Sequence, residues 1–347
     1  MVSRVTTAGV IAAFNQEKYI SEAVLSLAEQ VDEVIVVDDA SMDNTQDVLA
    51  ALAVPNLIVI YNDVQLGVSR SYNRAVAASS AEILLIQGGD DRSLAGRADR
   101  QVQALSDPSV SLTYSLPRVI DARGARLPAS LGSEFSVGSG GFDPLNFLFF
   151  VTNYICAPAV AVRRSDYVRV GGFRGGLDLL QDYDLWLRLA SEGRFAYIDH
   201  PVVEYRKHAF NLSRDYVDLD SPKQRRVSAE MDFIRNRFLN NANEATIRRL
   251  AAHLALDLVR FDTLSNQEKV AIIQLAHGDK LQLRHGVAFL FEAAGEWDAI
   301  ARFERLGLEL SDLSRLAILS DHGNLEDVSR AIGGFRAADR ISAKRKP

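Results

Sequence analysis

Cysteine is almost missing from this chain of 347 residues: Cys156 is the single one, which excludes an intrachain disulfide framework and a thiolate metal cluster. Set in an apolar stretch, Cys156 reads as a small core residue. Excess positive charge is missing as well. Forty-five Asp and Glu against 39 Lys and Arg leave a net charge of -6, so nucleic acid is excluded as the main ligand and any phosphate binding must be local. No basic-then-apolar leader stands before the first apolar run, Gly9 to Ala13, and the expected location is the cytoplasm. Long hydrophobic runs are scarce. Pro144 to Val162 has no charged residue and approaches spanning length, but Asn146, Asn153 and Pro158 interrupt it. It reads as a buried helix and strand, with no transmembrane span and with peripheral contact at the inner membrane face as the lesser alternative.

What is present is an ordinary globular composition, 48% hydrophobic and 24% charged, with length for one large domain of roughly 200 to 250 residues and a smaller appendage. Two hydrophobic runs end in acid pairs: Glu33-Val34-Ile35-Val36-Val37 stops at Asp38-Asp39, and Ile83-Leu84-Leu85-Ile86 stops shortly before Asp90-Asp91. Each run reads as a fully buried parallel strand. In an open α/β sheet the ligand crevice lies beyond the carboxyl ends of the strands, so these carboxylates either face a bound molecule or cap the following helix. Strands are also expected at Gly9–Ala13, Leu57–Tyr61 and Val110–Tyr114, and helices at Tyr19–Gln30, Ser69–Ser79 and Gly96–Leu105. Strand and helix alternating at these intervals specify a mostly parallel central sheet flanked by helices. Ser130 to Gly141 reads as a loop, and beyond Asn211 the pattern turns helical, as at Ala245–Arg260 and Val287–Leu306. The expected division is 1–214 for the α/β domain, with halves of about 1–115 and 116–214, and 215–347 for an all-helical C-terminal domain. Lys344-Arg345-Lys346 reads as a frayed tail.

Five motifs in order carry a resemblance: Phe14-Asn15; Val36-Val37-Asp38-Asp39-Ala40-Ser41-Met42-Asp43-Asn44-Thr45; Gly67 with Asn73; Gly89-Asp90-Asp91; and Gln181-Asp182-Tyr183-Asp184-Leu185-Trp186-Leu187-Arg188-Leu189. Over roughly residues 8 to 213 the chain resembles the family 2 glycosyltransferases, which have the Rossmann-like A-type nucleotide-diphospho-sugar transferase fold. The resemblance implies a nucleoside-diphosphate sugar donor, a saccharide or lipid-linked acceptor, Mn2+ or Mg2+, inversion at the sugar, and a setting in polysaccharide biosynthesis. It matches Asp38 or Asp39 to the acid that contacts the base, and Phe14 to an aromatic beside it. The family pattern D-x-D becomes Gly88-Gly89-Asp90 here, so Asp90 keeps the metal position while Gly88 leaves the ribose acid absent. Ala12-Ala13 stands where Pro-Thr is common. Asp182 matches the family's general base and also reads as a helix N-cap; Gln181 replaces the acid beside it.

The remaining candidates follow from the same comparison. Gly171-Gly172-Phe173, with Asp178, looks like the acceptor-side loop, its glycines permitting closure. Asp184 reads as a supporting or surface acid. Tyr205-Arg206-Lys207-His208, with Asn211 and Ser213, resembles the closing strand and loop. Arg206, Lys207 or His208 is expected at the diphosphate, and His208 at the metal or as a surface residue, with Arg70 and Arg97 as phosphate or structural residues. Two alternatives stay open. A non-catalytic nucleotide- or sugar-binding relative is motivated by Gly88. A sugar-phosphate nucleotidyltransferase would want an N-terminal Gly-rich loop, and Val10 to Lys18 contains no glycine. The helical domain is expected to serve a homo-oligomer or to dock a partner.

Overall fold

Runs of aliphatic and β-branched side chains bounded by polar turns set the strands, because such residues pack on a pleated surface covered from both sides. In the computed structural model, which describes residues 4–135, 142–209, 211, 221–256, 258–277 and 279–294, the first half runs β1 (Thr7–Ala13), α1 (Ile20–Ala28), β2 (Glu33–Asp38), α2 (Thr45–Ala50), β3 (Leu57–Tyr61), α3 (Val68–Ala78), β4 (Ile83–Gly88), β5 (Arg92–Ser93), α4 (Arg97–Ala104), β6 (Val110–Tyr114) and β7 (Arg118–Ile120). Then come α5 (Pro144–Phe150), β8 (Ala161–Arg163), α6 (Arg164–Arg169), α7 (Gln181–Glu192), β9 (Arg194–Tyr197) and β10 (Val203–Arg206), followed by α8 (Pro222–Asn240), α9 (Glu244–His253), α10 (Leu258–Phe261), α11 (Asn266–Ala276) and α12 (Lys280–Ala294).

Seven strands form one sheet in the order β3-β2-β1-β4-β8-β6-β9. β3, β2, β1 and β4 are mutually parallel, β8 is antiparallel to both neighbours, and β6 and β9 pair parallel. A second sheet has the order β5-β10-β7. The expected mostly parallel α/β fold is therefore present. β1 is the switch strand: the chain adds β2 and β3 on one side of it and β4 on the other, which opens a crevice at the carboxyl ends of β1, β2 and β4. The core under that crevice is aliphatic. Ile11, Val34, Val36 and Leu85 of the strands meet Ile20, Val24 and Leu27 of α1, all fully buried. α1 has the apolar face its helical spacing predicts.

Pro144 to Val162 becomes α5, a 3₁₀ turn at Ala157–Ala159 and the start of β8. Asp143 caps α5, its carboxylate accepting from the Leu145 and Asn146 amides, and Pro144 occupies the first helical position. Arg97 is a structural residue. Fully buried, it donates to the Gln101 and Gln87 side-chain carbonyls, the Ser93 hydroxyl and the backbone carbonyls of Ile86 and Val160, and so locks α4 against β4.

The chain divides into two compact units, Met1–Val227 and Ser228–Pro347, the division falling within α8. In the second unit α9 and α11 open on side-chain caps, Asn243 in α9 and a Ser265–Glu268 capping box in α11. Leu250, Phe261, Ile272 and Ile273 are among its buried side chains. The helix expected at Val287–Leu306 is described as far as Ala294 in α12. Residues 136–141 of the expected loop, together with Ser213 and Lys344-Arg345-Lys346, lie outside the described residues; Ala129–Phe135 is a kinked 3₁₀ segment. Among the described residues no helix is long and apolar enough to cross a membrane.

Candidate active site

The loops after β1 and β2 are stitched together at the switch point. The Asn15 N–H donates to Ser41 Oγ at 2.9 Å, Asn15 Oδ1 accepts from the Met42 N–H at 2.8 Å, and the Gln16 N–H donates to Thr45 Oγ1 at 2.7 Å. Asn15 and Ala40 both adopt left-handed backbone, φ 53° and 60°. Asn tolerates that region well; Ala pays a steric penalty for it, which the surrounding bonds sustain. Asn15 thus serves the crevice by fixing its rim, and half-buried Phe14 precedes it at the strand end.

Asp38 and Asp39 follow at the end of β2, both buried. Asp39 is fully engaged: Oδ1 accepts from Asn62 Nδ2 at 2.6 Å and the Leu66 N–H at 2.8 Å, and Oδ2 from the Gly67 N–H at 2.8 Å. It anchors the loop that leads into α3. Asp38 differs. Its Oδ2 accepts from the Ser41 N–H and Gln46 Nε2, while its buried Oδ1 has no hydrogen-bond partner. A buried carboxylate oxygen without a donor is costly, and a ligand N–H is one way to satisfy it.

Across β1, Gly88 ends β4 and the chain folds back so that two carboxylates lean over it. A Cβ on Gly88 would fall 2.5 Å from Asp91 Oδ2 and 2.8 Å from Asp90 Oδ1. Asp91 is buried, and its Oδ1 accepts from the Arg206 N–H at 2.8 Å. Burial, and then the charge of Asp90, hold its carboxyl well above the usual carboxylate range, against the opposing Arg206 amide and the charges of Arg206 and Arg97. Asp90 keeps a 16% exposed side chain, and its Oδ2 lies 2.8 Å from His208 Nε2 and accepts from Asn211 Nδ2 at 3.3 Å. The His208 ring packs on Tyr19, centroids 5.1 Å apart. Asp90 and His208 are therefore brought together.

Arg206 is not where the sequence led us to expect it. Its side chain is 2% exposed. The guanidinium donates to the carbonyls of Asp90, Asp121 and Ala122 and to Glu22 Oε2, and stacks over Tyr19 at 4.7 Å. It braces the Asp90–Asp91 turn against β10 instead of facing a diphosphate. Arginine on a buried strand beside three carbonyls finds its partners inside the protein.

A divalent cation fits the Asp90–His208 pair only with help. Among the described residues no group of three or more His, Cys, Asp and Glu could hold a metal ion by itself. Hard cations accept carboxylate oxygen and can take further ligands from a bound diphosphate and water, so the donor set suits an ion that arrives with a substrate.

The third carboxylate comes from α7. Leu180 holds the helix cap position, so Asp182 is not the N-cap; it sits in the first turn, where its Oδ1 accepts from the Tyr183 N–H at 2.7 Å. Its Oδ2 accepts from Asn153 Nδ2 at 2.9 Å. Burial pushes its carboxyl up to about 6, opposed by the Tyr183 N–H and by Asn153. Tyr183, Leu185, Trp186 and Leu189 are fully buried and seat this helix. The segment from Asn153 to Val160 links this acid to the crevice. The Ile86 N–H donates to the Val160 carbonyl, and the buried Cys156 thiol between is pushed up by burial and by the charges of both Asp91 and Asp182.

The neighbouring acceptor-side candidates are spread around α7. Gly172 has φ 62°, and a Cβ there would lie 2.7 Å from Asn73 Oδ1. Asn73 grips the loop by accepting from the Phe173 N–H and the Tyr167 hydroxyl and donating to the Phe173 carbonyl. These glycines serve a left-handed turn and a close approach. Asp184 is buried between Arg174 and Arg188, and Arg188 also holds the Gly172 carbonyl. Exposed Asp178 pairs with Arg226. Gln181 Oε1 is buried without a hydrogen-bond partner. Arg70 is exposed on α3, its side chain against Gly175. Asn153, Glu22 and Tyr19 were not legible as site residues, because each gains its role from a partner distant in sequence. The only mark on Asn153 was that it interrupts an apolar run.

Residues 10–171 match the family model for glycosyl transferase family 2. An uncharacterised protein of Mycobacterium tuberculosis is 27% identical over 211 residues, the match covering 57% of this chain and 66% of the relative, just under two thirds. An uncharacterised glycosyltransferase of Methanocaldococcus jannaschii, MJ1057, is 26% identical, over 57% of this chain and 69% of its own. An O-antigen biosynthesis protein of Myxococcus xanthus, RfbC, is 26% identical, over 69% of this chain and 17% of its own. Among solved structures, Staphylococcus aureus TarS residues 1–349 in complex with UDP-GlcNAc shares the fold at TM-score 0.57 and 18% identity, covering 95% of this chain and 91% of that one.

Proposed function

The chain belongs to the family 2 glycosyltransferases through residues 10–171, and from that premise we propose that it moves a sugar, with inversion, from a nucleoside diphosphate to a hydroxyl of a saccharide or lipid-linked acceptor. The observation that carries this reading is Asp182: a carboxylate raised to about 6 and held in place by Asn153, tied through the segment to Val160 to a crevice that holds Asp38, Asp90 and His208.

In the reaction the acceptor hydroxyl gives its proton to the Asp182 carboxylate as its oxygen forms the new bond to the anomeric carbon. The bond from that carbon to the diphosphate oxygen breaks, and the nucleoside diphosphate leaves with the electron pair. A single displacement inverts the carbon. Such a base supplies on the order of 10²–10⁴-fold. Asp38 Oδ1, buried and without a partner, is assigned to a base N–H. Asp90 and His208 would hold Mn2+ or Mg2+, which when bound neutralises charge on the leaving diphosphate. The UDP and UDP-GlcNAc carried by TarS structures make uridine the first donor base to test. The same reading sets the protein in the cytoplasm, in polysaccharide assembly, with the helical region as an acceptor or partner dock or an oligomer contact.

Gly88 favours a second reading, a relative that binds nucleotide without turnover. Thermal melts with nucleoside diphosphates and their sugars, with and without Mn2+, decide between them. A ligand at a hundred times its Kd stabilises by about 2.7 kcal/mol. The expected result is one nucleotide that stabilises only with metal, lost in Asp90→Ala, together with Asp182→Asn binding donor normally but turning over about 10³-fold more slowly. Binding that survives Asp182→Asn, with no turnover in wild type against a panel of acceptors, hands the lead to the binding relative.

A further inference from the structure

Asn153 is held at both ends of its side-chain amide. Its Oδ1 accepts from the Ile155 N–H at 3.1 Å, which fixes the amide so that Nδ2 faces Asp182 Oδ2 at 2.9 Å. The assignment of oxygen and nitrogen is dictated by the backbone donor. Asp182 Oδ1 is meanwhile held by the Tyr183 N–H, so the two bonds together set the plane of the carboxylate. On the other side, Asn153 is two residues from Ile155 and three from Cys156, both 1% exposed, so its own backbone is anchored in the core.

We propose that Asn153 is the positioning residue of this enzyme: its amide N–H orients the Asp182 carboxylate toward the acceptor and keeps it ionised. This inference rests on the reading of Asp182 as general base. An N–H donor stabilises the ionised form of its acceptor, and a charge-assisted bond of this kind is about twice as strong as a neutral one. Burial alone would leave a carboxyl short of charge at the pH where it must accept a proton; Asn153 and the Tyr183 amide work against that burial. No charged side chain acts on Asp182 in this way among the described residues, and the titratable group within range of its charge is the buried Cys156 thiol.

The test is Asn153→Asp. It keeps the shape and the acceptor for the Ile155 amide, and replaces only the donor that faces Asp182. Donor and acceptor kinetics are measured from pH 5 to 9 beside Asn153→Ser, whose hydroxyl can still accept from the Ile155 amide but is too short to reach Asp182. We expect kcat to fall about 10- to 100-fold at pH 7 in both, the value of a lost bond to a charged group. The nucleotide-sugar KM should stay within about threefold, since uniform binding is untouched. The acidic limb of kcat/KM should move to higher pH, farther in Asn153→Asp, where a carboxylate faces a carboxylate. Thermal melts identify a variant that has not folded, and the other then carries the test. Wild-type kcat and limb in either folded variant overturn the proposal. Full activity in Asp182→Asn overturns the underlying base assignment instead, so the two failures are distinct.

Discussion

Asp38-Asp39 and Asp90-Asp91 are the same dipeptide, placed at the ends of two strands on either side of β1, and they divide their work in the same order. In each pair the second acid is consumed by the protein. Asp39 takes donors from Asn62, Leu66 and Gly67, and Asp91 is buried against the Arg206 amide. The first acid is bound differently in the two pairs. Asp38 is wholly enclosed with one oxygen lacking a partner, whereas Asp90 keeps contact with solvent and faces an imidazole. An enclosed acceptor suits a neutral N–H, which costs little to desolvate; a partly solvated acid beside histidine suits a cation that brings its own water. The pairs teach that the second acid holds the loop that carries the first.

Gly88 is the sharpest place to break the comparison. Restoring the acid of the D-x-D pattern by Gly88→Asp would be expected, from sequence alone, to improve donor binding. The geometry says the reverse, because the new Cβ would meet Asp91 Oδ2 at 2.5 Å and Asp90 Oδ1 at 2.8 Å and bring a third carboxylate to two that already repel. We expect a loss of about 3 kcal/mol in urea denaturation and weaker nucleotide binding in calorimetry. Tighter binding in a stable variant would show that the two acids move aside readily and that the turn over Gly88 is soft.

The next effect separates Asp39 from Asp38 by one isosteric change. Asp39→Asn must set an amide NH₂ against at least one of three fixed N–H donors, at a cost of about 1–3 kcal/mol. Asp38→Asn can keep its carbonyl toward Ser41 and Gln46 and put its NH₂ where the partnerless oxygen lies, so stability should change by under about 1 kcal/mol. Nucleotide binding should then respond oppositely, falling at least about tenfold in Asp38→Asn, since a donor now meets a donor. Equal stability loss in the two variants would erase the distinction between a spent acid and an available one.

How far this arrangement could be read from sequence follows from the same bonds. The strands, their parallel order and the acid pairs at their ends depend on local runs such as Val34–Val37, and those were legible. The division within each pair was not. Asp39 is satisfied by residues 23, 27 and 28 positions away, and Asp91 by one 115 positions away; no local pattern distinguishes the two aspartates of a dipeptide. Arg206 shows the same limit: a basic residue at the end of the last strand looked available, and its neighbours in space, Tyr19 and Glu22, engage it. Asn153 left even less trace, because an asparagine that orients a carboxylate looks like any polar residue interrupting an apolar run.

The smallest effect tests whether an available acid needs a partner acid at all. Asp182 shares the first turn of α7 with Asp184, which is already paired with Arg174 and Arg188, and burial leads the causes that push Asp182 up to about 6 from an ordinary 3.8. A carboxyl whose folded value is raised holds its proton in the native state over a window where the unfolded chain has lost it. Its contribution to stability is therefore complete below about pH 3.8 and is lost as pH rises through about 6. The full shift corresponds to more, but Asp182 is only partly buried, so about 1 kcal/mol is the expected size. Asp182→Asn removes the titration. The stability difference between wild type and this variant, from urea denaturation between pH 4 and 7, should swing against wild type by that amount as pH rises, while wild-type kcat/KM climbs through a limb near 6. A flat difference would mean that Asp182 ionises as freely as a surface acid, and a base that needs no help from Asn153 would follow from that.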